Sequence, residues 1–211
     1  MLRTWYRVAA AAIGWFVIGL QYYLIAIKPD VTLIEALVRL LAYFTILTNI
    51  LVTLAMTLPW LAPDSRLAAL FSRPSVRTAI ASYIIIVSAV YYLVLRKLWN
   101  PEGLQYLADT IEHCVVPVLY LIDWLVFVPK GTVSVRSVPW WLLYPLGYGT
   151  YSLLRGAATG FYPYPFLEVT QLGFERVLVN MGVLTASFAV LGLILVGIDR
   201  LLGTVEARKT G

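Results

Sequence analysis

Six apolar stretches, each about as long as a bilayer is thick, leave this chain few folds to choose from. They run over Val8–Ile27, Ala36–Leu61, Thr78–Leu95, Leu104–Val128, Val138–Leu154 and Arg176–Leu202. A hydrocarbon core of about 30 Å takes ~20 helical residues to cross. Breakers stand between the stretches: Lys28-Pro29-Asp30, Ala62-Pro63-Asp64, Arg73-Pro74, Asn100-Pro101 and Val128-Pro129-Lys130-Gly131. The expectation is an all-α, polytopic membrane protein: a single six-helix transmembrane domain over residues 1–211.

Composition agrees, because 61% of the residues are hydrophobic and only 13% charged, where globular domains run nearer half and a quarter. The net charge of +5 reads as loop arginines that set topology, since no basic run with interleaved aromatics points to nucleic acid. Met1 to Arg7 is basic and an apolar stretch follows, as in a signal peptide. That stretch continues to Ile27 without a small-residue cleavage site, so it reads as the first spanning helix. Trp5, Trp60, Trp99, Trp140 and Trp141 fall at segment ends and read as interfacial anchors.

Lys and Arg distribution sets the expected orientation. Arg3, Arg7, Arg66, Arg73, Arg77, Lys130, Arg136, Arg200, Arg208 and Lys209 fall on one side. Lys28, Arg96, Lys97, Arg155 and Arg176 fall on the other, and Arg39 is placed within the second helix. The positive-inside rule then puts both termini in the cytoplasm of a cell membrane.

The fourth stretch carries the chemistry. It holds the only histidine, His113, together with Asp109, Glu112 and Asp123. Translocon scales charge roughly 2.5–3.5 kcal/mol for an Asp at a helix centre, so ionisable groups at membrane depth mark function by default. Asp109 and His113 share a face at i, i+4, and Pro117 removes a backbone bond and frees or tilts a carbonyl near His113. On the second stretch Thr45, Thr48 and Asn49 share a face in the same way. Both helices run from the outer side inward, and Thr45 and His113 each lie about nine residues in, ~13–14 Å deep.

A hydroxyl face level with an imidazole face suggests nucleophilic chemistry. A threonine hydroxyl needs a base within hydrogen-bond reach, and neutral imidazole is one. In that reading Asp109 orients the ring, and Thr48 or Asn49 donates to a developing oxyanion. The bland reading is that Thr and Asn bond across helices or to their own carbonyls, and that His113 pairs structurally. Cys114 points away from His113, no two side chains have metal-ligand spacing, and no metal or cofactor is implied. The connection from Arg155 to Glu175 is rich in Gly, Pro and aromatics and is expected to dip back over the same cavity.

Three motifs carry a family resemblance: Tyr43-Phe44-Thr45, His113 with Val115-Val116-Pro117-Val118-Leu119 and Asp123, and Thr159-Gly160-Phe161-Tyr162-Pro163-Tyr164-Pro165-Phe166-Leu167-Glu168. On these the chain resembles the androgen-induced and androgen-dependent TFPI-regulating membrane proteins and their bacterial relatives. The resemblance implies an intramembrane hydrolase with a catalytic threonine and histidine; eukaryotic members cleave fatty acid esters of hydroxy fatty acids. It places the nucleophile on Thr45, with Thr48 the alternative one turn on, and the histidine on His113.

The expected partners are membrane lipids or fatty acyl esters as substrate, with no nucleic acid and no obligate protein partner. Tyr162, Tyr164 and Glu168 are expected to line the substrate site, with Glu168 the alternative to Asp109 as third catalytic group. Arg39 or Arg155 is expected to pair with a substrate carboxylate. The rival expectation is a small transporter or lipid-binding protein whose buried polar set binds without turnover.

Overall fold

A computed structural model describes residues 1–98 and 100–210, with side chains through 205; Trp99 and the side chains of Arg208 and Lys209 lie outside the described residues. The described chain is all-helical. Five helical segments are long and apolar enough to cross a membrane: Leu2–Ala26, Phe44–Leu61, Pro74–Lys97, Gly103–Phe127 and Phe174–Val205. The stretch expected at Val138–Leu154 is broken instead into α8 (Val138–Trp141) and α9 (Leu143–Thr159). Gly160 ends α9 in the left-handed conformation, φ 72°, that glycine adopts without a Cβ clash.

The first helix, α1 (Leu2–Ala26), begins six residues before the expected start, and this puts Arg3 and Arg7 on it. The second expected helix is two. A short α2 (Leu33–Leu40) is capped by Thr32, whose hydroxyl accepts from the Glu35 amide at 3.2 Å. The chain then breaks at residues 41–43 before α3 (Phe44–Leu61). Arg39 therefore does not lie in the helix of Thr45. It sits exposed on α2, paired with Glu35 at 2.6 Å.

The break has a tertiary cause, because the groups it frees are satisfied from outside. Tyr148 donates to the Ala42 carbonyl at 2.9 Å, and the Thr45 amide donates to the Tyr164 phenol at 3.2 Å.

Helix α3 is central. It packs against α1, the short α4 (Arg66–Ser72), α5 (Pro74–Leu93) and α7 (Val116–Phe127). Gly14 of α1 lets Thr53 approach so closely that a Cβ there would lie 2.3 Å from its hydroxyl. Small residues at such crossings are how membrane helices gain contact without a hydrophobic drive between them. Apolar side chains such as Val183, Val190 and Ile194 on α11 (Phe174–Thr210) are exposed, as lipid-facing positions are.

The fourth stretch is α6 (Gly103–Thr110), a π-helical turn over Ile111–Val115, and α7. Pro117 has no N–H for the His113 carbonyl, and the Val116 amide bonds five residues back to the Ile111 carbonyl. A proline thus widens the turn that holds the histidine.

Two charges counted as loop residues are buried. Arg7 is 7% exposed and Arg77, inside α5, is 2% exposed; both bond Asp123, which is fully enclosed. Arg7 reaches its two oxygens at 2.7 and 3.2 Å. Arg77 also donates to the carbonyls of Phe71 and Ala55. These arginines are held by a carboxylate between α1, α5 and α7, so the orientation argument rests on the remaining loop cations.

Candidate active site

Thr45 lies in the first turn of α3, where amides have no carbonyl a turn earlier to bond. Its amide and its hydroxyl both lie 3.2 Å from the Tyr164 phenol. Tyr164 comes from the turn after Gly160 and is itself buried. Burial raises its phenol to about 12, so it is neutral and can donate as well as accept at neutral pH. Tyr43 and Phe166 flank its ring, the first edge-on at 6.0 Å and the second stacked at 5.2 Å.

Thr45 and Tyr164 stand in the wall of a partly open cavity of about 70 Å³. The remaining wall is almost wholly apolar and aromatic, including Phe44, Val87, Tyr148, Leu167, Met181 and Phe188. The segment after α9 thus folds onto the bundle and supplies Tyr164, Phe166 and Leu167 to the cavity. A few hydroxyls in a mainly apolar wall are a chain-binding geometry: hydrocarbon fills the volume and a polar group meets the threonine.

His113 is buried in the π turn. Its Nδ1 lies 2.8 Å from the Asp109 carbonyl. A carbonyl only accepts, so Nδ1 carries the hydrogen and Nε2 is the basic nitrogen of the neutral ring. Tyr91 stacks on the imidazole at 3.8 Å between centroids, 13° from parallel.

The orienting group is therefore the backbone of Asp109, where sequence reasoning pointed to its carboxylate. The carboxylate accepts from Gln105 at 2.8 Å and from Tyr91 at 3.4 Å. Gln105 also reaches Gln21 of α1 at 3.1 Å, tying this cluster to a third helix.

Asn49 joins the two halves. Its side-chain amide donates to the Thr45 carbonyl at 2.9 Å and to the Glu112 carbonyl at 3.4 Å. The turn below Thr45 is thereby tied to the residue before His113. Thr45 and His113 make no hydrogen bond to each other; the threonine hydroxyl is held by Tyr164.

Thr48 is engaged elsewhere, its hydroxyl 3.1 Å from that of Tyr144. With Asn49 and Thr48 so occupied, the donors nearest the Thr45 hydroxyl are the first-turn amides of α3 and the Tyr164 phenol. Buried acceptors remain without a partner at Asn49 Oδ1 and Glu112 Oε1.

The other expected site residues fall apart from this core. Tyr162 packs on α9, its ring lying where a Cβ on Gly156 would be, 2.0 Å away. Glu168 accepts from Thr170 and so belongs to the short turn before α10 (Val169–Leu172), with no bond to His113. Arg155 stacks over Phe161 at 4.8 Å, and its Nη1 is buried without an acceptor.

Tyr91 and the first-turn amides were missed from sequence. Nothing local marks Tyr91, which reads as one of two consecutive aromatics ending a helix. Comparison with known proteins finds no match: no family model, no curated protein and no solved structure.

Proposed function

We propose that this protein is an intramembrane lipid-ester hydrolase. Thr45 is its nucleophile and His113 its general base, and it acts on a fatty acid ester of a hydroxy fatty acid or a similar lipid ester. The observation that carries the reading is the Thr45 hydroxyl at a helix N-terminus in the wall of a mainly apolar cavity. An acyl chain fills the cavity and brings its ester carbonyl to Thr45.

In the reaction the threonine hydroxyl turns from Tyr164 to His113 Nε2 and gives up its proton as Oγ1 bonds the carbonyl carbon. The carbonyl oxygen, now negative, accepts from first-turn amides of α3, the Thr45 amide exchanging the Tyr164 phenol for it, where the helix dipole also favours negative charge. The imidazolium returns the proton to the departing alkoxide as the ester C–O bond breaks. Water, deprotonated by the same nitrogen, then attacks the acyl-threonine; the acid leaves and Thr45 recovers its proton. Arg155 pairs with a carboxylate on the substrate, Arg39 being already paired with Glu35.

The proposal includes six crossings, with α8 and α9 forming the fifth, and both termini in the cytoplasm. Attachment of a membrane-impermeant thiol reagent to a cysteine introduced at Gly211, only after permeabilisation, tests the second point.

A lipid-binding protein without turnover is the second reading, favoured by the missing hydrogen bond between Thr45 and His113. The deciding experiment is hydrolysis by detergent-purified protein of a fatty acid ester of a hydroxy fatty acid, beside a simple short-chain ester. Thr45→Ala and His113→Ala are expected to lose at least ~10³-fold in turnover with unchanged thermal unfolding. Thr48→Ala is expected to retain activity. Substantial turnover in the Thr45 variant removes the mechanism; saturable lipid binding without turnover in the wild type establishes the second reading.

A further inference from the structure

A second cavity, of about 300 Å³, opens at the far end of the bundle from the first. The start of α1 and the C-terminal part of α11 lie at this end: Arg3 is in its wall beside Pro129, and Gly131 packs on Gly203. Three guanidinium groups line it, from Arg3, Arg7 and Arg77, and no carboxylate is among the lining residues. Among the described residues Asp123, behind the wall, is the one acid paired with this set, and both of its oxygens already bond Arg7 and Arg77. One carboxylate against three arginines leaves two positive charges uncompensated.

Low dielectric magnifies that imbalance, since charges at a bundle end are screened less than on an open surface. The remaining polar wall also favours an acceptor-rich ligand. The Ser72 hydroxyl lines the cavity, and Trp60, also in the wall, has a buried Nε1–H without a partner. Arginine's planar fork matches the oxygens of a phosphate, and basic pockets between membrane helices hold lipid phosphates on that principle.

We propose that this arginine-lined cavity binds a phosphate group, either in the headgroup of an anionic membrane lipid or as the free ion. Arg3, exposed at the mouth, is the recruiting charge. Arg7 and Arg77, fixed by Asp123, form the rigid floor. The inference is independent of the hydrolase reading, since it concerns a separate cavity and needs no turnover.

The test uses full-length protein in neutral detergent. Native mass spectrometry measures retention of phosphatidylglycerol against phosphatidylcholine, and thermal unfolding is followed in sodium phosphate against sodium chloride at equal ionic strength. Retention of phosphatidylglycerol is expected to exceed that of phosphatidylcholine. Arg3→Gln should lower it about five-fold, the contribution of one arginine near a membrane surface. Arg136→Gln, the same charge change at an exposed loop position outside the cavity, should leave it unchanged.

Stabilisation by phosphate but not chloride, without selective lipid retention, supports the site with the free ion as ligand, provided Arg3→Gln removes it. Equal retention of the two lipids with no phosphate effect overturns the proposal. So does equal loss in the Arg3 and Arg136 variants, which would make the binding a matter of overall charge.

Discussion

The two buried polar clusters of this bundle are built on opposite rules. In one, Asp123 has two arginines and Arg77 has two backbone carbonyls besides. In the other, around Thr45 and His113, acceptors on Asn49 and Glu112 lack partners. A saturated network holds helices together; an unsaturated one keeps polar groups for a ligand. Inside a membrane each unsatisfied group is costly, so the contrast separates scaffold from site.

The largest effect is expected from breaking the saturated cluster. Asp123→Asn leaves two buried guanidiniums without an anion, and removing one partner of a buried pair costs about 3–5 kcal/mol. Thermal unfolding in detergent should show that loss even where no substrate is present. An Asp123→Asn protein as stable as the wild type would mean that the ion cluster does not hold α1, α5 and α7 together.

Next in size is Arg155→Gln. A charge-assisted hydrogen bond to a substrate carboxylate is worth about 1.5–3 kcal/mol, so kcat/KM should fall about 10–100-fold, mainly through KM. The fall should appear only with an ester bearing a free carboxylate and vanish with a short-chain ester lacking one. An equal loss on both esters would make Arg155 part of the scaffold after all.

How much of this was legible in the sequence follows from the range of each signal. The apolar segments were visible because hydropathy is local, and all five helical segments suited to crossing fall where such stretches were expected. The π turn's cause was visible too, since Pro117 lies four residues after His113. Two local signals were readable and passed over. Thr32 and Glu35 have capping-box spacing and mark a helix start at Leu33. Pro74 suits the first turn of a helix and would have put Arg77 inside α5, not in a loop.

The break at residues 41–43 carries no Gly or Pro, and its cause, Tyr148 and Tyr164, lies more than a hundred residues away. The same distance hid the partner of Thr45. Sequence placed Tyr164 in a motif beside Tyr162 and Glu168, and only the tertiary fold separates them: one on the nucleophile candidate, one on Gly156, one in a local turn.

A smaller effect is expected at the Thr45–Tyr164 contact. Tyr164→Phe keeps the ring stacking on Phe166 and removes only the phenol, a bond worth about 0.5–1.5 kcal/mol net. Turnover should fall by about 3- to 10-fold, against the near-complete loss in Thr45→Ala. A loss as deep as that of Thr45→Ala would move Tyr164 from positioning the hydroxyl to taking part in the chemistry.

The smallest effect sharpens the comparison most. Glu112→Gln makes the same chemical change as Asp123→Asn, carboxyl to amide, at a side chain equally enclosed: 2% exposed at Glu112 and 0% at Asp123. Glu112 has no cation paired with it among the described residues, and its Oε1 accepts no hydrogen bond. The substitution therefore breaks no ion pair. Stability should change by less than about 1 kcal/mol, within reach of either sign. If unfolding instead drops as far as in Asp123→Asn, Glu112 is carrying load comparable to the ion cluster. The division into a saturated scaffold and an unsaturated site would then fail at that residue.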